Sequence, residues 1–156
     1  MKYIKLPLGL KLKIDNDDYE RLNLNKRKFG LVVTPDGYRY PTCNDGNGRG
    51  TFYLHRLILK APKGLIIDHK NRNTLDCRKI NLRLATHSQN NANQKRRSNR
   101  TGYQGVQPNG SLGYSARIKK DGIEYYIGQY RTAKEASEAY NMKAKEFFGD
   151  FARVCI

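Results

Sequence analysis

The sequence predicts an α+β chain: a β-rich leader, a β–β–α core in the middle, and a three-stranded antiparallel sheet packed on one helix at the end. Three observations carry that expectation. Short β-prone runs in the first third are cut by turn residues. In the middle, apolar runs at 65–68 and 82–85 flank a polar loop and lead into a capped polar stretch. In the last third, Asp121-Gly122 joins two alternating runs, and Thr132 with Glu135 opens an alanine-rich stretch.

Residues 1–51 form the leader. Tyr3-Ile4-Lys5-Leu6 and Gly30-Leu31-Val32-Val33 read as strands, separated by Pro35-Asp36-Gly37 and followed by Asn44-Asp45-Gly46-Asn47-Gly48, both turn chemistry. Asp15-Asn16-Asp17-Asp18-Tyr19-Glu20 suits the start of a short helix, whose N-terminus favours negative charge. The cluster lacks the Gly and terminal Glu of a calcium loop, so capping and turning are its expected roles.

Residues 52–94 hold the polar loop. Residues 53–59 read as a short amphipathic helix, halted near Pro62-Lys63-Gly64. A strand over 65–68, a second over 82–85, and a helix capped by Thr86 or Ser88 and running to about Gln94 follow. This places Asp68 and His69 at a strand end and Asn90 in the first turns of the helix. Packing strand against helix would bring them together.

Lys95-Arg96-Arg97-Ser98-Asn99-Arg100 lacks apolar periodicity and reads as a basic linker, over 95–100, able to track phosphates. Residues 101–156 form the final module. The Asp121-Gly122 hairpin pairs Lys120 with Ile123, Lys119 with Glu124, Ile118 with Tyr125 and Arg117 with Tyr126. Tyr114, Ala116, Ile118, Ile123, Tyr125 and Ile127 then share a face expected to be buried. Ser115, Arg117, Lys119, Glu124 and Tyr126 share a wet one. The covering helix runs from the Thr132 cap to about Phe148, with Gly149 as its stop.

The 156 residues carry a formal charge of +16, and the excess is local. Residues 1–51 hold a net +4, residues 52–100 a net +10 and residues 101–156 a net +2. Such a concentration points to a polyanion, and nucleic acid is the expected partner. No apolar run approaches the roughly 20 residues of a spanning helix, and the basic stretches lack a strong apolar face, which argues against a membrane. The first residues lack the apolar core of a secretory signal. Cys43, Cys77 and Cys155 are odd in number and widely spaced, as free thiols of a reducing compartment are, and no Cys-x-x-Cys pair suggests zinc. A cytoplasmic chain is expected.

Asp68-His69, followed by Asn81 and Asn90, is the constellation that carries chemistry. It offers a hard oxygen ligand beside an imidazole base, then returns amides from a second strand and a helix. Those parts can hold one divalent cation and activate a water against a phosphodiester. A neutral imidazole near its ordinary pKa of about 6.5 accepts a proton from water at neutral pH.

These residues resemble the His-Asn-His endonucleases of the ββα-metal type, in the variant where Asn replaces the last His. The resemblance rests on Leu54-His55-Arg56-Leu57, Asp68-His69-Lys70-Asn71-Arg72-Asn73, Leu75-Asp76, residues 81–86 and Gln89-Asn90. Gly102-Tyr103-Gln104-Gly105-Val106, residues 114–118, 133–140 and 147–152 resemble an Apetala-two (ethylene-response-factor) DNA-binding domain. Together they are similar to homing endonucleases of phages and bacteria, a phage-encoded one working in the cytoplasm of its bacterial host. The resemblance implies His69 as general base, Asp68 and Asn90 as ligands of Mg²⁺ or Mn²⁺, and Asn81 as the stitch of the loop between the strands, with Arg56 steadying a phosphate. It implies double-stranded DNA as partner, bound by a monomer through Arg72, Lys95, Arg96, Arg97, Arg100, Arg117, Lys119 and Tyr126, without a small-molecule cofactor. Cys77 departs from the family's usual Asn. Gln104, Gln107 and Ser111 depart from the plant domains, so sequence preference does not transfer.

Two other functions fit the charge: a non-catalytic DNA-binding regulator that uses residues 101–156, and an RNA-binding accessory factor, since phosphate attraction alone does not separate RNA from DNA. The intact Asp68, His69 and Asn90 set favours catalysis.

Overall fold

The computed structural model describes residues 1–44, 50–94 and 99–153. Lys95, Arg96 and Arg97 of the basic linker, the turn residues after Asn44, and Cys155 lie outside the described residues. The architecture is mixed α+β, with small antiparallel sheets ahead of a β–β–α region and a final three-stranded sheet. The residues group into two compact units, Met1–Ala85 and Thr86–Ile156.

In the first unit, strand β1 (Lys2–Lys5) pairs antiparallel with β2 (Lys11–Ile14), and helix α1 (Asn16–Arg21) follows. Strands β3 (Phe29–Val33), β4 (Arg39–Asn44) and β5 (Thr51–Tyr53) form a sheet in that order. Helix α2 (Leu54–Leu59) leads to β6 (Ile66–His69) and its antiparallel partner β7 (Leu82–Ala85). Leader and loop-bearing strands share one core: Leu12, Ile14, Leu24, Leu54, Ile58, Ile67, Cys77 and Leu82 are buried in a single cluster. Full burial of each Leu or Ile is worth about 1.5–3 kcal/mol, so the leader contributes directly to the stability of the strands behind it.

The Asp15–Asp18 cluster does more than cap. Asp15 makes no side-chain cap bond; its Oδ2 instead accepts the Lys79 backbone N–H at 2.9 Å. Asp18 is fully buried and pairs with Arg21 at 2.7 Å and Lys79 at 3.1 Å. Lys13 exchanges backbone bonds with Leu75 and Cys77, at 2.8 and 2.9 Å, so β2 and α1 together fasten the far end of the β6–β7 loop. The acidic residues were drawn to this corner by the loop's basic residues, not by the helix end alone. Cys43 and Cys77 are free and buried.

In the second unit, α3 (His87–Asn93) starts at Thr86 through a capping box with Gln89. Strands β8 (Val106–Pro108), β9 (Tyr114–Lys120) and β10 (Ile123–Tyr130) form an antiparallel sheet in the order β10-β9-β8, and α4 (Ala133–Phe148) packs on it. The Thr132/Glu135 capping box forms as expected, and Gly149 ends the helix at a positive φ of 52°. The hairpin register is the one expected from Lys120↔Ile123 to Arg117↔Tyr126, and Asp121 and Gly122 both take the positive φ of a primed turn.

Beyond Tyr126 the register slips: Gly128, not Ile127, stands opposite Ala116. Ile127, the unpaired extra residue of this bulge, packs in the core as expected, whereas Ser115 is buried where a wet position was expected and Tyr125, expected on the buried face, is 37% exposed. Ile123, expected on the buried face, is 59% exposed beside the Asp121-Gly122 turn. Gly105 is required: its φ is +61°, and a Cβ there would run into the Arg117 carbonyl and the Tyr140 ring.

Candidate active site

Strand β6 ends in Ile67-Asp68-His69, three consecutive buried residues, before the chain turns at Arg72 with a positive φ of 62°. The Arg72 N–H donates to the His69 carbonyl at 2.7 Å and closes that turn. Asn71 and Asn73 side chains accept from Asn73 and Leu75 N–H groups, as Asn does in tight loops. Asn81, 5% exposed, then ties the loop shut from its far end. Its Oδ1 accepts the Asn71 N–H at 3.0 Å, its Nδ2 donates to the Asp76 carbonyl at 2.7 Å, and its own carbonyl accepts the Lys70 N–H at 2.8 Å. Asp76, buried in turn, accepts from Asn71 and from both Nε and Nη2 of Arg78. The hydrogen bonds from Arg78 hold its carboxyl below the usual carboxylate range. A loop with this many internal bonds is pre-organised, which is what a site on a strand end needs.

Cys77 is buried in the core, with its N–H donating to the Lys13 carbonyl and its thiol 3.8 Å from the Thr74 carbonyl. Burial pushes that thiol up, out of reach of thiolate chemistry.

Sequence reasoning missed two parts of the site. Arg83 stands opposite Asp68 across the β6–β7 pair and donates to Asp68 Oδ2 through Nε and Nη2, each at 2.7 Å. The signal was available: with β6 and β7 antiparallel, one choice of register sets these opposite charges face to face. The second is an aromatic wall. His69 lies edge-on to His55, ring centroids 5.4 Å apart, and 6.3 Å from Tyr40. His55 in turn stacks on Tyr53 at 5.6 Å and meets Tyr40 at 5.5 Å. Tyr40 comes from β4, and only the paired register of β3, β4 and β5 delivers it.

Burial sets the electrostatics. His69, 4% exposed, is held down to about 4, with desolvation opposed in part by Asp68 and Asp76. Burial likewise holds His55 down to about 3, helped by His69 and Arg56. Tyr40 is pushed up, first by burial and then by Tyr38. Both imidazoles are neutral at physiological pH, and burial holds His69 below the ordinary value near 6.5 expected from the sequence, which keeps the ring unprotonated but makes it a weaker base.

Of the other expected residues, Arg56 is exposed on α2 and Arg72 exposed on the loop. Asn90, half-buried, lies in the second turn of α3 and belongs to the second unit. There, Arg117, Lys119 and Tyr126 are exposed on β9 and β10, and Arg100 is exposed ahead of them. Glu124 pairs with Arg117, at 3.1 Å, rather than with its cross-strand neighbour Lys119. The longer Arg reaches diagonally across the strands; its guanidinium also lies 5.9 Å from the Tyr126 ring. Among the described residues no group of three or more His, Cys, Asp or Glu could hold a metal, and no helix is long and apolar enough to cross a membrane.

Residues 52–92 match a family described as HNH endonuclease. The chain is also 36% identical, over 119 residues, to a protein of Acanthamoeba polyphaga mimivirus described as an uncharacterized HNH endonuclease. That alignment takes in 72% of this chain and 60% of the relative, so the chain spans well under the relative's full length. No solved structure matches. The segment carrying Asp68 and His69 is thus of the HNH endonuclease family, a family of metal-dependent phosphodiesterases that act on DNA.

Proposed function

We propose that the chain is a DNA endonuclease of homing type, hydrolysing phosphodiester bonds with one divalent cation. The observation that supports it best is the buried, cross-braced Asp68-His69 pair at the end of β6, within the family match. His69 is the general base: its ring is neutral and fixed by the aromatic wall. Asp68 and Asn90 are the ligands. An Asp carboxylate with an Asn carbonyl is an all-oxygen donor set, which suits Mg²⁺ or Mn²⁺ better than Zn²⁺. The cation, when bound, supplies positive charge for the scissile phosphate and the departing 3′ oxygen. Arg83 orients Asp68, Asn81 holds the loop, and Arg56 steadies a phosphate. The test is incubation with supercoiled plasmid and Mg²⁺: nicked or linear product with 5′-phosphate and 3′-hydroxyl ends is expected, and chelator abolishes it. Intact plasmid under both conditions refutes the reading.

The second module is the DNA reader by this proposal, in the manner of an Apetala-two domain, with the β9–β10 face entering the major groove. Arg117, Lys119 and Tyr126 support it by their shared exposure. The Arg117–Glu124 pair is exposed on both sides, and such pairs are worth about 1 kcal/mol or less, so Arg117 exchanges Glu124 for a guanine edge or a phosphate at little cost. Arg117→Ala is expected to weaken binding to a preferred site by about five- to a hundredfold, the range of one good Arg contact, while nonspecific binding changes little. Equal loss on all sequences would make Arg117 a phosphate contact only.

A further inference from the structure

Helix α3 has seven residues, two turns. Isolated helices of this length are not stable in water, so packing must hold it. That packing comes from the second unit. Ala92 is 8% exposed and sits in a cluster with Ile118 of β9 and Tyr140, Ala144 and Phe148 of α4. Its carbonyl accepts the Arg153 N–H at 3.4 Å. At the other end of the helix, Ser88 Oγ accepts the Asp121 N–H at 3.0 Å. In a two-residue hairpin turn that N–H lies outside the strand ladder, and Ser88 satisfies it. The family match, however, reaches to residue 92 and so includes most of α3. One helix is thus nuclease by sequence and part of the terminal module by packing.

We propose that the terminal sheet-and-helix module is a working part of the nuclease: it holds α3 in place and thereby sets the position of Asn90, with Ser88 and Ala92 as positioning residues. This rests on the reading of Asn90 as a metal ligand. It gives the module a second role beside DNA reading. The turn that bonds Ser88 joins the two strands that carry Arg117, Lys119 and Tyr126, so target contact and the Asn90 helix share one hairpin.

The experiment uses the full chain with Ala92→Glu, which places a carboxylate in the apolar seat, and Ser88→Ala, which removes one hydroxyl and keeps the fold. Hydrogen exchange at residues 87–93 and at β9–β10 is measured beside single-turnover cleavage at saturating DNA with Mg²⁺. For Ala92→Glu the α3 amides are expected to exchange roughly tenfold faster or more while β9–β10 stay protected. Its cleavage rate falls roughly tenfold or more, with DNA affinity within about twofold. Ser88→Ala shows the same pattern at about two- to tenfold, the weight of one hydrogen bond, and Ser88→Thr restores it. Unchanged α3 exchange in both variants overturns the proposal, as does a freed α3 with wild-type cleavage. Asn90→Ala in the same assay separates the two ideas. If it cleaves normally, the ligand reading is wrong, and the exchange data still decide whether the module holds α3.

Discussion

His69→Ala is expected to lower the single-turnover rate of DNA cleavage by about 10²–10⁴-fold, the usual weight of a general base, and to leave DNA affinity within about twofold. The asymmetry follows from where His69 sits. At 4% exposure it is no part of the basic surface, so its loss removes no phosphate contact. Removing a buried ring does cost stability, about 2–5 kcal/mol for cavities of this kind, because Tyr40 and His55 lose their neighbour. A thermal melt of the variant must therefore accompany the rate, and cleavage is measured well below its midpoint. His69→Gln, which fills more of the space and keeps a hydrogen-bonding group, is expected to recover stability but not rate. Wild-type cleavage by either variant removes His69 from the role of base, whatever becomes of the metal ligands.

What the sequence disclosed and what it hid divide along range. The Asp121-Gly122 register, the Thr132/Glu135 capping box and the ends of β7 and α4 depend on residues within a few positions of each other, and local chemistry wrote them plainly, while the choice of Thr86 over Ser88 as the cap of α3 was settled by the Gln89 box. The stitch made by Asn81 was also readable, from the motif. Hidden was everything that depends on where distant segments meet. Tyr40 and His69 are 29 positions apart, and Asp15 reaches Lys79 across 64. The leader looked separable because its charge and turn content differ, yet a core is assembled by volume, and Leu12 and Ile14 fill the same cluster as Leu54 and Leu82. The affiliation of α3 was hidden for a like reason. Its seat is a single Ala, too small to leave a periodic signal, and a polar helix gives no stripe. The bulge at Ile127 was invisible because it preserves the apolar character of the strand while shifting its phase.

Neutralising Lys95, Arg96, Arg97 and Arg100 together is expected to have the largest effect on binding. The net +10 over residues 52–100 is where the chain's charge excess lies, and those four residues are a third of the segment's cations. Binding of a cation to duplex phosphate releases condensed counterions, so log affinity falls against log salt with a slope near −0.9 per contact. Loss of four contacts would make the slope about 3.6 units shallower and, at about 0.1 M salt, would weaken binding by up to about four-thousandfold. Cleavage at saturating DNA should change little, since none of the four belongs to the loop that holds Asp68 and His69. Total charge alone is excluded by a control of equal size: Lys11, Lys26, Lys134 and Lys145 are all exposed and lie outside the segment. If these four, once neutralised, reduce the slope as much as the linker set does, attraction is a property of net charge and the linker has no contacts of its own. If the linker set leaves the slope unchanged, residues 95–100 are a passive tether, and the phosphate contacts must come from Arg56, Arg72 and the exposed face of β9 and β10.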